Sequence, residues 1–422
     1  MRCCSRVIHS LRSAVSQDLL LCIVLSTTLP PVPSRQIKRH YFLLEGLNSF
    51  ATVYYLYYIY FLTQQKFGFD RKSNLIVAAW LGATNAFGSW QGGRIAQRFG
   101  YFFALKAGFT VMLAALVGGS FAGSATTHIL AATIMMLGMS ITWPTLEAMV
   151  SEGETASGVQ HMIGKYNVIW AATAAASYFL GGALIARFDF QSIYYLPAAI
   201  MVAQLVLTFW LEQQARDPKS HPKSKDARRV EQVSHPPGRG KMFLRMAWLA
   251  NPFAYIAINT TIALVPSVAA RFGLSTTLAG IYCSLWCFAR VAAFYGLWHW
   301  AGWHYRFRWL LVAYLSLIAS FVLMVGARQL SILIISQLFF GAALGLIYSS
   351  SLFYSMDLGD TKGEHGGLHE AAIGLGNFTG PAVGAASLHF LPQYSNSGIV
   401  AVGILLLLGL GGLIAIRVRN SK

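Results

Sequence analysis

From residue 41 to residue 416 the chain alternates long apolar runs with short polar breaks. Twelve runs fall near 41–63, 74–91, 102–123, 128–150, 164–186, 191–211, 246–269, 276–298, 309–327, 330–353, 369–390 and 397–416. Each is close to the roughly 20 residues that carry a helix across a bilayer core about 30 Å thick. Within lipid every backbone group must find its partner inside its own segment, so runs of this kind predict helices. Ten-residue stretches of strict alternation, the mark of a membrane barrel, are absent from the sequence. The expected fold class is an all-α polytopic membrane protein of twelve transmembrane helices.

Composition sharpens that picture. Of 422 residues 55% are hydrophobic and 11% charged, with a mean hydropathy of +0.52, whereas a soluble domain carries about 25% charged residues. The net charge of +17 invites a nucleic-acid reading, but the basic residues lie between the runs and on one side. With twelve spans and an inner N-terminus, 25 of the 32 Lys and Arg fall on the inner side. Six fall outside (Lys66, Arg71, Lys72, Arg187, Arg271 and Arg328), and Arg290 alone is left at mid-span, away from either end of its run. Basic loops mark the cytoplasmic side, so both termini are expected in the cytoplasm and the protein in the plasma membrane, with lipid and no nucleic acid as surroundings. The five cysteines, Cys3, Cys4, Cys22, Cys283 and Cys287, give no disulfide framework and no metal-ligand set. No cofactor is expected.

Four segments follow from this pattern. Residues 1–40 form an N-terminal extension whose apolar stretch, Leu19 to Leu29, is too short to span and ends in prolines; residues 1–36 are expected to be dispensable for insertion. Residues 41–212 hold six spans, 213–245 form a polar linker rich in Lys, Arg and Pro, and 246–418 hold six more. The two halves look alike at a near-constant offset. Lys66-Phe67-Gly68 after the first span answers to Arg271-Phe272-Gly273 after the seventh, and Gly138 answers to Gly345.

Between the second and third runs lies Gly92-Gly93-Arg94-Ile95-Ala96-Gln97-Arg98-Phe99-Gly100. It resembles the loop signature that major facilitator superfamily transporters carry between helices 2 and 3, roughly G-x-L-A-D-R-F-G-R-R. Gly93, Ile95, Ala96, Arg98, Phe99 and Gly100 fit; Gln97 stands at the acidic position and a Phe at the second basic one. The resemblance covers about 41–418. It implies two six-helix, pseudo-symmetric bundles working by alternating access, with Gly93, Gln97, Arg98 and Gly100 as a gating corner. Span 11 carries Gly376, Gly380, Pro381 and Gly384. This stripe of small residues suits close helix packing and is similar to a signature that some antiporters of the superfamily carry in span 5.

Charged and polar residues inside the runs are the candidates for solute handling. A central Arg costs about 2.5–3.5 kcal/mol on insertion scales and needs a cavity or a partner, which marks Arg290 for an anionic or zwitterionic ligand or a paired carboxylate. Asn85 holds the position related to it by the offset of 205. Glu45, Asn48 and Tyr54 of the first span are further cavity candidates, while Glu147, Lys165 and Glu370 lie near the inner ends of their spans as a cytoplasmic gate. Carboxylates kept from water are also the groups through which protons could couple. The function expected is secondary transport of a small solute by a monomer, with protons as the candidate coupling ion. A transporter-like receptor or scaffold is the alternative from another class, and a lipid-modifying membrane enzyme is a third. No H-E-x-x-H, Walker or G-x-S-x-G motif supports an enzyme.

Overall fold

The structure is a computed structural model and describes residues 35–152, 154, 156–216, 239–358 and 362–420. Most of the N-terminal extension and of the linker lies outside them. Among the described residues all regular structure is helical. The first bundle comprises α1 (Arg35–Phe67), α2 (Arg71–Phe99), α3 (Tyr101–Ser120), α4 (Ala125–Ser151), α5 (Ala156–Phe188) and α6 (Ser192–Arg216). The second comprises α7 (Arg239–Arg271), α8 (Thr276–Cys283), α9 (Leu285–His299), α10 (Phe307–Gly326), α11 (Leu330–Leu358), α12 (Lys362–Phe390) and α13 (Ser397–Arg419). Helices α8 and α9 are the two halves of a broken eighth span, so the twelve runs become twelve membrane crossings.

The internal repeat is visible in the backbone. Gly68 and Gly273 both turn through positive φ (68° and 63°), and the residue two positions later caps the next helix in both bundles. Asp70 accepts from the Ser73 N–H at 2.8 Å, and Ser275 accepts from the Leu278 N–H at 3.3 Å. These side chains satisfy donors that a helix start leaves free.

Nine crossings are long and apolar enough to be recognised as membrane spans by hydropathy. The three that fall short among the described residues are α1, α2 and α12, and their polar content is not spread at random. Asn48, Asn85 and Asn377 are drawn from them, as are Glu45 and Glu370. Helices α2 and α12 form the most extensive pairing in the molecule, and it joins the two bundles. A helix sheltered on one side by a partner bundle tolerates polar residues that lipid would reject.

The bundles meet along two seams. In the first, a Cβ on Gly82 of α2 would strike the backbone of Asn377 and Phe378 on α12, and one on Gly374 of α12 would strike Ala86. The second seam runs α5 along α8 and α9. Gly182 packs directly on Thr276 at the end bearing Arg71, and Gly164 packs directly on the Trp298 ring at the end bearing Arg98. Closure at both ends leaves the space between the bundles sealed along this seam.

A buried cation and three buried carboxyls between the bundles

Arg290 lies on the second turn of α9 and is 4% exposed. Its guanidinium carbon stands 4.6 Å from the Trp170 ring of α5 and 4.9 Å from the Trp286 ring of α9. The faces of two indoles attract a cation by their quadrupoles, by about 2 kcal/mol or more when desolvated. The phenols of Tyr57 and Tyr255 lie within electrostatic reach. Tyr57 also stacks on Trp286, their centroids 6.5 Å apart. Among the described residues the ion pairs are Lys38–Glu154 and Lys106–Glu212, so Arg290 meets no carboxylate. Two donors of this cleft, Arg290 Nε and Trp286 Nε1, are buried without a hydrogen-bond partner. Aromatic faces offset part of the burial of the charge but accept no N–H bond in line; the Tyr57 phenol accepts a hydrogen bond from the guanidinium, and Nε is left without an acceptor.

Trp170 connects this cleft to a second cluster. It touches Tyr348 of α11 (5.7 Å between centroids), and Tyr348 touches His369 of α12 at 5.7 Å. One turn before Trp170 on α5, Tyr166 sits within Coulombic reach of Glu45, Glu147 and Glu370. These three carboxyls come from α1, α4 and α12, that is, from both bundles, and all are buried. Glu45 Oε1 accepts from Ser49 at 2.7 Å, while Oε2 and the Nε2 of neighbouring His369 have no partner. None of the three carboxyls meets a cation among the described residues. Lys165, expected beside them, is half-buried and forms no ion pair there.

The remaining residues singled out in the sequence disperse. Asn85 donates to Ser140 at 3.2 Å and accepts from Asn377 at 3.5 Å; Asn377 in turn accepts from Asn259. Asn85 therefore belongs to the α2–α12 seam rather than to the Arg290 cleft. Asn48 donates to Thr142 at 3.4 Å, and the Tyr54 hydroxyl pairs with Ser192 at 2.6 Å, both within the first bundle. Gln97 and Arg98 are exposed, with Arg98 5.3 Å from the Phe99 ring. Gly93 is half-buried on the last turns of α2. Gly100 closes α2 and opens α3 at φ 89° and ψ 155°, a region essentially reserved for glycine. Gly376 and Gly380 press on the Pro252 and Ile256 carbonyls of α7, with Pro381 beside them, and a Cβ added to Gly384 would lie 3.3 Å from Leu75 of α2.

Sequence reasoning passed over Gly82 and Gly374, which form the inter-bundle contact but belong to no repeated spacing. It also passed over Lys38, which is buried and donates to the Val150 and Glu152 carbonyls and to Glu154 at 2.6 Å. That contact ties the start of α1 to the end of α4, where a cation suits the helix dipole. A lysine just ahead of the first apolar run was the available signal.

Residues 41–381 match the Major Facilitator Superfamily. No curated protein matches the chain. In three dimensions the chain is similar to the human organic anion transporter MFSD10 (TETRAN), known from a crystal structure. The TM-score is 0.64 at 14% sequence identity, covering 90% of this chain and 99% of that one.

Proposed function

This chain belongs to the Major Facilitator Superfamily, and we propose that it is a secondary transporter that moves a small organic anion by alternating access, coupled to protons. The observation that carries the reading is Arg290, a buried cation between the two bundles whose Nε, like Nε1 of adjoining Trp286, has no acceptor, and which has no acid beside it among the described residues. A small carboxylate would complete it, and the indole and phenol rings around it suit an apolar or aromatic body. The similar structure is of a protein described as an organic anion transporter, which agrees with this reading without deciding it. Burial of Glu45, Glu147 and Glu370 away from cations supports proton coupling, because a carboxyl can sit there at modest cost only with a proton or a cation on it. We place both termini in the cytoplasm of a plasma-membrane protein on the strength of the charge asymmetry.

Uptake into proteoliposomes tests the reading. A panel of small carboxylates should be taken up and their uncharged amides refused, with an acid-outside gradient accelerating entry. Arg290→Gln should lower kcat/KM for the carboxylate at least tenfold, and Arg290→Lys should lower it too, because an ammonium does not reproduce the planar fork. Equal transport of amide and acid, or normal uptake by Arg290→Gln, overturns it.

A further inference from the structure

The eighth span breaks between Cys283 and Leu285, with Ser284 at φ −95° and ψ −6°. No proline or glycine occupies residues 281–286, so local sequence does not force the break. In an unbroken helix the Trp286 N–H would bond the Tyr282 carbonyl, four residues back. Here both groups go instead to one side-chain amide. Gln337 of α11 donates from Nε2 to the Tyr282 carbonyl at 2.6 Å, and its Oε1 accepts from the Trp286 N–H at 3.4 Å. The same Nε2 reaches the Leu333 carbonyl of its own helix at 3.2 Å, and the side chain is fully buried. A side chain inserted into the helical ladder is a known cause of a kink. Ser284 adds a smaller pull by bonding the Ile281 carbonyl at 3.1 Å.

The opened rung stands directly before the anion site. Trp286, whose N–H Gln337 holds, presents its ring to Arg290, one turn further on. One turn beyond Gln337, Gly341 presses on the Trp286 carbonyl, and a turn later Gly345 faces Ala293, so α11 grips α9 at three successive levels. The rung also has a ready alternative. Without the amide, Trp286 and Tyr282 can bond directly, α8 and α9 fuse, and Trp286 and Arg290 swing with the turn that carries them.

We propose that Gln337 is the positioning residue of the anion site, holding one rung of the eighth span open so that Trp286 and Arg290 face the space between the bundles. The proposal rests on the reading of Arg290 as an anion receptor. Its test needs no substrate, so the two can fail separately: an error about the anion appears only in the uptake of carboxylates.

Hydrogen exchange read by mass spectrometry over residues 276–299 of the full-length protein decides it. In Gln337→Met, close to isosteric and unable to bridge the rung, exchange of the segment around Trp286 should slow at least tenfold as the rung closes. A glutamine that merely packs predicts the opposite sign, faster exchange in a loosened core, and that result or an unchanged rate overturns the proposal. Ser284→Ala, which leaves the core filled, is the second variant. It should keep wild-type exchange within about twofold, since Gln337 remains; closure of the rung in this variant would assign the break to Ser284 and equally overturn the proposal. Finally, N-ethylmaleimide labelling of Arg290→Cys, with the native cysteines replaced, should shift at least fivefold when Gln337→Met is added. Equal rates would show that the rung does not position residue 290.

Discussion

Lys38 and Gly100 show how much a single position can carry in this chain. Lys38 is the only described cation that reaches the end of α4, through two carbonyls and Glu154. Hydrogen bonds to charged groups are worth about 1.5–3 kcal/mol each, so Lys38→Met should lower stability by about that much, read as a fall in melting temperature with the Arg290 cleft intact. Gly100 has open space around its missing side chain, so any penalty there is conformational. Gly100→Ala should cost about 1–3 kcal/mol, and an unchanged melting temperature would contradict the strain. Legibility at this scale followed contrast. Arg290 and the three glutamates stand out because a charge within an apolar run is conspicuous. Gln337 does not, since an uncharged amide in 330–353 looks like any tolerated polar residue until its two partners on another helix are known. The gathering of Glu45, Glu147 and Glu370 was equally hidden, because it depends on three helices far apart in sequence.

Helices were the most legible elements. Run length and apolarity gave twelve crossings, and the offset of 205 gave the repeat that Gly68 and Gly273 display. The interruption of the eighth span was not legible, because its cause lies in α11 and not in residues 276–299. Pairing was legible only in part: the glycine stripe of α12 signalled close packing, but two of its members face α7 within their own bundle, while Gly374 faces α2. The α5 seam allows a test by substitution at either end. Gly182→Leu cannot close on Thr276 and should hold the protein open toward the face bearing Arg71. Gly164→Leu cannot close on Trp298 and should hold it open toward the face bearing Arg98. Cysteines placed on α5 near each end, labelled with a membrane-impermeant thiol reagent, should react in opposite patterns in the two variants. The same pattern in both would mean that this seam is not a gate.

For the whole molecule, the charge asymmetry predicts a cytoplasmic residue 230 and C-terminus, and reporter fusions at both positions should say so; an external signal at either contradicts the orientation. Glu45→Gln, Glu147→Gln and Glu370→Gln should each blunt the acceleration by external acid while sparing exchange of anion for anion, since exchange does not require the empty carrier to release its proton and return without it. The two seams differ in kind. Along α5 the end contacts are the Trp298 ring and the first turn of α8, whereas α2 and α12 meet backbone to backbone near mid-helix and share the amide run from Asn259 through Asn377 and Asn85 to Ser140. The molecule is thus bound like a book, with α2 and α12 as the spine and α5 against the eighth span as the fore-edge. A damaged spine stiffens every page turn alike, while a damaged fore-edge leaves the book lying open at one place. Asn377→Leu should therefore slow influx and efflux by the same factor, and Gly182→Leu should separate them.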